Sequence, residues 1–307
     1  MGNGELICQN LTKVYGGSGD KKALDSVSLT IPSRGIFSLI GMNGAGKTTL
    51  VRILATNLEP TSGTAMINGI DVMKEARKLR EKIAIIPQEA RTIPWMTARQ
   101  GVYSYLLWRG FSYAEARKAA SEALAKVGLE QQADEPSRSL SGGQRRKAMV
   151  ATVLAADAEI TFLDEPTTGL DPISRKELWK SLQEIAKNRF LILTTHYLEE
   201  AEQLADLIGI LDKGKLVALG SLDSLRGMVK YQYSIRLPSA TQVPTVEDGT
   251  VTTGEDGQTQ ILTNDKEAYR LSQGFFESGT KFSVNRMSLD DIFFHFVRAD
   301  VGEADAQ

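Results

Sequence analysis

Gly41-Met42-Asn43-Gly44-Ala45-Gly46-Lys47-Thr48-Thr49 is the stretch on which the rest of the sequence turns. Upstream, Gly35-Ile36-Phe37-Ser38-Leu39-Ile40 is a short apolar run that reads as a buried strand. Downstream, Leu50-Val51-Arg52-Ile53-Leu54-Ala55 has the apolar spacing of a helix. A Gly-rich turn between strand and helix is the setting that the G-x-x-x-x-G-K-[ST] pattern requires. Glycines at 41, 44 and 46 let the backbone curl, so that the N–H groups of Asn43, Ala45 and their neighbours face one concavity. The helix N-terminus adds partial positive charge there. Lys47 supplies a full charge for the β- and γ-phosphates, and Thr48 a hydroxyl for Mg²⁺. The motif by itself specifies a nucleoside triphosphate and not the kind of machine.

At 307 residues, one or two domains are expected. Hydrophobic residues make up 42% and charged residues 24%, as in an ordinary soluble globular chain. The net charge of −2 leaves no global basic field for nucleic acid. Two basic clusters, Arg77-Lys78 with Arg80 and Arg145-Arg146-Lys147, read as solvated helix faces. The single cysteine, Cys8, excludes a disulfide framework and fits a small buried strand residue in a reducing compartment. No apolar run approaches 18 residues, so any membrane role goes through a partner.

Taken in order, residues 5–15 and 23–31 read as half-exposed antiparallel strands, and 64–72 as a hairpin about Asn68-Gly69. Tyr15 either closes a small core or stacks on a base. Ile83–Ile86 is a buried strand, and Gln88 sits at its C-terminal end, where ligands of open α/β sheets gather. From about 98 to 129 the chain is mostly helical, with Val102, Tyr105, Leu106 and Leu107 on one apolar face. Trp95, Met96 and Trp108 read as core or inter-subdomain contacts, with a partner-binding patch as the alternative.

Ser141 and Gln144 fit a capping box, with the helix running from Arg145 to Ala156. Gly142 and Gly143 are more than a cap needs, and they open a second anion site at a positive helix end. Ile160–Leu163 is a strand ending in Asp164-Glu165, a costly buried pair unless used. Mg²⁺ held through Asp164 and a water polarised by Glu165 would use it. Asp171-Pro172 starts a helix running to about Asn188, and His196 ends the strand Phe190–Thr195. His196 shares the strand-end edge with Lys47, Gln88 and Glu165, which favours a phosphate or catalytic role.

After about residue 229 the texture changes. Strands are expected at 231–237 and 281–287, a polar turn-rich stretch at 238–258 with a turn at Asp256-Gly257, and helices opened by Asn264 and by Ser288 with Asp291, the last ending near Phe296. His295 is expected to be packed among its phenylalanines.

The order of these motifs resembles the nucleotide-binding subunits of ABC transporters over about residues 5–228. The phosphate loop, Gln88, the unsubstituted Leu140-Ser141-Gly142-Gly143-Gln144, the strand to Asp164 with Glu165, the Asp171 loop and His196 follow in that family's order. The resemblance implies an α/β P-loop NTPase (RecA-like) core with an antiparallel β subdomain and an inserted helical subdomain at about 89–156. The assigned divisions are 1–228 for this ATPase domain, 229–298 for a small C-terminal α+β domain, and 299–307 for an acidic disordered tail.

Further roles come with the resemblance. Tyr15 would stack on adenine, and Gly41 to Thr49 would hold ATP. Thr48, Gln88 and Asp164 would hold Mg²⁺. Glu165 would be the general base or water-orienting group, with Gln88 beside it, and His196 would contact the γ-phosphate. Ser141, Gly142, Gly143 and Gln144 would act on the ATP of a second cassette in a homodimer or heterodimer, with Asp171 at that interface. Residues from Gln88 to Gly101 would face a transmembrane permease subunit, placing the chain on the cytoplasmic face of the cell membrane.

The run Thr194–Glu202 and the run Ser288–Phe293 are similar to exporter ATPases of the daunorubicin-resistance type. The implied function is therefore the ATPase of an ABC exporter. An importer ATPase, or a soluble ABC ATPase acting on nucleic acid or ribosomes, stays open. One departure is Gln100, where the family usually carries an acidic residue.

Overall fold

The computed structural model describes residues 4–16, 21–239, 241, 243–253 and 257–302. The chain divides into two compact units, Met1–Leu219 and Gly220–Gln307. The elements of the first are β1 (Glu5–Tyr15), β2 (Lys21–Pro32), β3 (Gly35–Ile40), α1 (Lys47–Leu54), β4 (Ser62–Ile67), β5 (Ile70–Asp71), α2 (Ala76–Lys82), β6 (Ile83–Ile86), α3 (Ala98–Trp108), α4 (Tyr113–Lys126), α5 (Gly142–Ala155), β7 (Ile160–Asp164), α6 (Pro172–Ala186), β8 (Phe190–Thr195), α7 (Leu198–Leu204), β9 (Leu207–Asp212) and β10 (Lys215–Gly220).

A six-stranded sheet in the order β10-β9-β3-β8-β7-β6 forms the centre, and β9, β3, β8, β7 and β6 run parallel. Its inner strands β3, β7 and β8 are buried on both faces, as their continuous apolar runs require. Alternate residues feed two clusters. Ile36, Leu163, Leu191 and Leu193 pack with the helices α3 to α5. Phe37, Phe162, Phe190 and Ile192 pack with α1 and the antiparallel sheet β2-β1-β4-β5. The register sets Ile40 beside Thr195, Thr194 beside Asp164 and Leu163 beside Ile86. The C-terminal ends of four neighbouring strands therefore share one edge, and the strand order reverses around β3, the usual place for a ligand.

Two expectations need correction here. The signature helix begins at Gly142, not Arg145, because the Ser141–Gln144 box forms one turn earlier. In α3, Val102 and Leu106 are buried, whereas Leu107 is exposed, since helical period places it a third of a turn off the buried face. Cys8 is buried as expected, and burial pushes its thiol up to about 12.

The second unit holds α8 (Leu222–Met228), β11 (Tyr233–Leu237), β12 (Gly249–Thr253), β13 (Thr259–Thr263), α9 (Asp265–Glu277), β14 (Ser283–Arg286) and α10 (Leu289–Gly302). The sheet runs β12-β13-β11-β14, and α9 covers it through Ala268, Leu271 and Phe275 against Ile235, Leu237 and Ile261. This unit starts earlier than residue 229, because α8 belongs to it: Leu225 is buried and Arg226 Nε donates to Met287 O at 2.9 Å. The polar 238–258 stretch contains the edge strand β12, whose side chains are mostly exposed and so carry no apolar alternation. Asp256 lies outside the described residues. The last helix continues to Gly302, past Phe296 and into the stretch expected to be disordered from Ala299. His295 is exposed, edge-on to Phe296 at 5.6 Å, and not packed in a core.

Candidate functional site

The phosphate loop leaves β3 and enters α1 through Gly46, whose φ of 107° only glycine adopts readily. A Cβ at Gly46 would also stand 2.3 Å from Ala23 O, and one at Gly41 2.3 Å from Leu211 O. The loop is thus packed against β2 and β9 so closely that these two positions admit no side chain. Lys47 is buried at its end, and Nζ donates to Gly41 O at 2.7 Å and Met42 O at 3.2 Å. Burial pushes its ammonium below the ordinary lysine range, while the charges of Glu165 and Asp164 oppose that shift. Tyr15 Oη is 3.5 Å from Thr49 Oγ1, and Lys13 Nζ lies 5.5 Å from the Tyr15 ring centroid. The ring is partly exposed beside the loop, available for stacking, and not buried in a small core.

At the end of β7, Asp164 is buried and accepts from the hydroxyls of Thr194 and, at 3.4 Å, Thr48. Glu165 follows with φ of 51°, in the left-handed region. Such a residue is held by its surroundings at a cost of about 1–3 kcal/mol. The holding groups are visible: Glu165 N donates to Thr194 O and Thr194 Oγ1, each at 3.1 Å. Arg146 donates to three successive carbonyls, those of Asp164 (2.7 Å), Glu165 (2.6 Å) and Pro166 (3.1 Å). The Glu165 carboxylate then meets Gln88 Nε2 at 3.2 Å, Thr168 Oγ1 at 3.1 Å and His196 Nδ1 at 3.1 Å. The strand ends therefore converge on one carboxylate.

The Ser141 box is complete. Ser141 Oγ accepts from Gln144 N at 3.1 Å and Gln144 Oε1 accepts from Ser141 N at 2.8 Å. A Cβ on Gly142 would meet nothing within 4 Å, so that residue borders open space. Asp171 caps α6 by accepting from Ile173 N and Ser174 N, both at 3.0 Å, and bonding to Ser174 leads in holding its carboxyl below the usual range. Among the described residues, Ser141 to Gln144 and Asp171 make no hydrogen bond to Glu165, Gln88, Thr168 or His196, so on this chain the two sets are separate.

Residues 24–168 match the family model described as ABC transporter. The daunorubicin resistance ATP-binding protein DrrA3 of Streptomyces coeruleorubidus is 34% identical over 294 residues, 92% of this chain and 93% of that protein. The chain belongs to the ABC transporter family. ABC transporter A family member 10 of Arabidopsis thaliana is 33% identical over 297 residues, 94% of this chain but 31% of that protein. This ABC chain thus spans about a third of that plant relative. A solved structure, the dimeric post-hydrolysis state of the ATP-binding cassette MJ0796 bound to ADP and Pi, matches with TM-score 0.63 at 30% identity, covering 71% of this chain and 98% of that one. The chain carries the ABC ATPase cassette on a P-loop NTPase fold.

Two oxygen donors of this ABC cassette, Thr48 Oγ1 and the Asp164 carboxylate, lie together beside the phosphate loop. A hydroxyl with a buried carboxylate, both hard ligands, fits Mg²⁺ held jointly with substrate phosphates. Gln88 is turned to Glu165 and not to this pair.

Two readings change, and one residue of the site is new. Arg146 and Lys147 are not a solvated face, being 8% and 6% exposed. Arg146 clamps the Glu165 turn, and Lys147 Nζ pairs with Glu177 at 2.8 Å. Thr168 went unnoticed because a lone threonine after a strand carries no signal. Trp95 and Trp108 are not core residues: they are 76% and 81% exposed. Met96 does line an apolar cavity of about 270 Å³ with Ile85, Ile93, Tyr105 and Met149. Gln100 takes the third position of the α3 capping box, with Oε1 2.9 Å from Thr97 N, so the departure from an acidic residue leaves the cap intact.

Proposed function

We propose that the chain is the ATP-hydrolysing subunit of an ABC exporter, working as a dimer on separate membrane subunits. The observation that carries this reading is the single carboxylate of Glu165, gripped by Gln88, Thr168 and His196 beside Lys47 and Asp164. Incoming phosphates replace the Gly41 and Met42 carbonyls as partners of Lys47 Nζ. Tyr15 stacks on the adenine. Thr48 and Asp164 would hold Mg²⁺, with Gln88 joining them only on leaving Glu165, and the ion would supply neutralisation of phosphate charge. Glu165 orients the attacking water and accepts its proton, and His196 contacts the γ-phosphate.

Closure of the dimer brings Ser141, Gly142, Gly143 and Gln144 of one cassette to the ATP of the other, where the N-terminus of α5 offers free N–H groups to phosphate. Asp171 stands at that interface. Exposed Trp95 and Ile93 form the contact to the permease, through which the chain sits on the cytoplasmic face of the cell membrane. Among the described residues no helix is long and apolar enough to cross a membrane, which fits attachment through a partner. The likeness to a daunorubicin resistance protein over nearly both full lengths supports export over import.

The test is a tagged pull-down from detergent-solubilised native membranes, read by mass spectrometry. A polytopic membrane protein at near-equal stoichiometry is expected. Recovery from the soluble fraction alone would overturn the transporter reading.

A further inference from the structure

The contacts of His196 continue beyond Glu165. On its other side the imidazole stacks against the ring of Tyr197, centroids 4.1 Å apart at an interplanar angle of 39°. Tyr197 is also met by Arg175, whose Cζ lies 4.0 Å from the ring centroid. Arg175 sits one turn into α6, and its Nε is buried with no hydrogen-bond partner, so the aromatic face and the charge of the nearby Glu200 offset its desolvation. One turn further along the same face, Trp179 Nε1 donates to the fully buried Glu200 Oε1 at 3.0 Å. Glu200 stands in the first turn of α7, directly after Tyr197. Helix α6 therefore holds the His196-bearing segment at two points, a cation on Tyr197 and an indole on Glu200.

The imidazole itself is loosely enclosed, with 37% of its side chain exposed. The contacts described for it are Glu165 on one edge and Tyr197 on one face. A ring with that much freedom needs a surface to set its plane. We propose that Tyr197, backed by Arg175, is the positioning residue for His196: the stack fixes the imidazole plane so that Nδ1 faces Glu165 Oε1 and the opposite ring nitrogen is presented to substrate. This inference rests on the ATPase role given to His196 above. Neither Tyr197 nor Arg175 touches substrate in this arrangement, so their removal acts on turnover through His196 and leaves nucleotide binding to the phosphate loop. Misplacing a catalytic group by about 1 Å can lower turnover by about a hundredfold, and smaller shifts by less.

The experiment is steady-state ATP hydrolysis by the full chain, with kcat and KM measured separately for Tyr197→Ala, Tyr197→Leu, Tyr197→Phe, Arg175→Ala, the Arg175→Ala/Tyr197→Ala double variant and His196→Ala. Tyr197→Ala and Tyr197→Leu are expected to lower kcat about tenfold, with KM for ATP within about twofold. Tyr197→Phe keeps the stacking face and restores most of the rate. Arg175→Ala lowers kcat less, and adds nothing in the Tyr197→Ala background, since the two act through one contact. Tyr197→Leu keeps the bulk, so it decides the matter if the alanine variant does not fold. An unchanged kcat in both, or an Arg175 effect that is additive to that of Tyr197, would overturn the proposal. If His196→Ala abolishes turnover while the Tyr197 variants keep the parent kcat, the positioning role falls and the ATPase role of His196 stands. If His196→Ala turns over normally, it is that underlying role that falls.

Discussion

Glu165 is the residue in which geometry and chemistry meet. Its side chain accepts from an amide and a hydroxyl and faces an imidazole, while its backbone is kept left-handed by Thr194 and Arg146. Glu165→Gln preserves the shape and removes the base. Hydrolysis is expected to fall about 10²–10⁴-fold while ATP stays bound, trapping an ATP-bound dimer on gel filtration. Normal turnover in this variant would contradict the assignment. The importance of Glu165 was legible from the Asp164-Glu165 pair at a strand end. Its left-handed backbone was not, because the groups that hold it come from residues 18–29 positions away in the chain.

At the scale of elements, α5 does two things with its first two turns. Ser141 and Gln144 close the cap, and Arg146 reaches back to three carbonyls of the β7 end. A guanidinium suits this because its rigid fork donates in several directions at once. Burial pushes Arg146 down from the ordinary arginine range, with Asp164 and Glu165 opposing, and it remains a cation. Arg146→Ala leaves those carbonyls without their donor and is expected to destabilise the first unit by about 3 kcal/mol. Arg146→Lys, with one ammonium in place of the fork, should lose an intermediate amount. Urea midpoints of the three proteins would check this, and coincident curves would show that the clamp contributes nothing. The cap was readable from S-x-x-Q spacing. The clamp was not, since a basic run after a glycine pair looks the same whether it points to water or inward.

Over the whole molecule, each unit has its own core, and the parallel sheet of the first separates two clusters through the alternation of its strand residues. In the second unit, Arg270 beside Glu267 holds that carboxyl down to about 2, well below an unfolded value near 4.3. The sign follows from the depressed value. The ionised pair stabilises the fold fully above pH 4.3, and its contribution is lost as pH falls through about 2. Arg270→Ala is therefore expected to lower the urea midpoint of this unit at pH 7, and the gap from the parent protein should close between about pH 4 and pH 2. A gap unchanged across that range would rule out the pair as its cause.

What the sequence determined by itself is local: the glycine spacing of the phosphate loop, the capping box at Ser141, the buried runs of the parallel strands and the carboxylate pair at a strand end. Each depends on residues within a few positions of one another, where spacing dictates geometry. What only the tertiary structure decided is long-range. It turned Arg146 and Lys147 inward, left Trp95 and Trp108 in solvent, brought Gln88 to Glu165 and moved α8 into the second unit. Burial and hydrogen-bond partners depend on which distant strand or helix a segment packs against, and no periodicity in the segment itself records that.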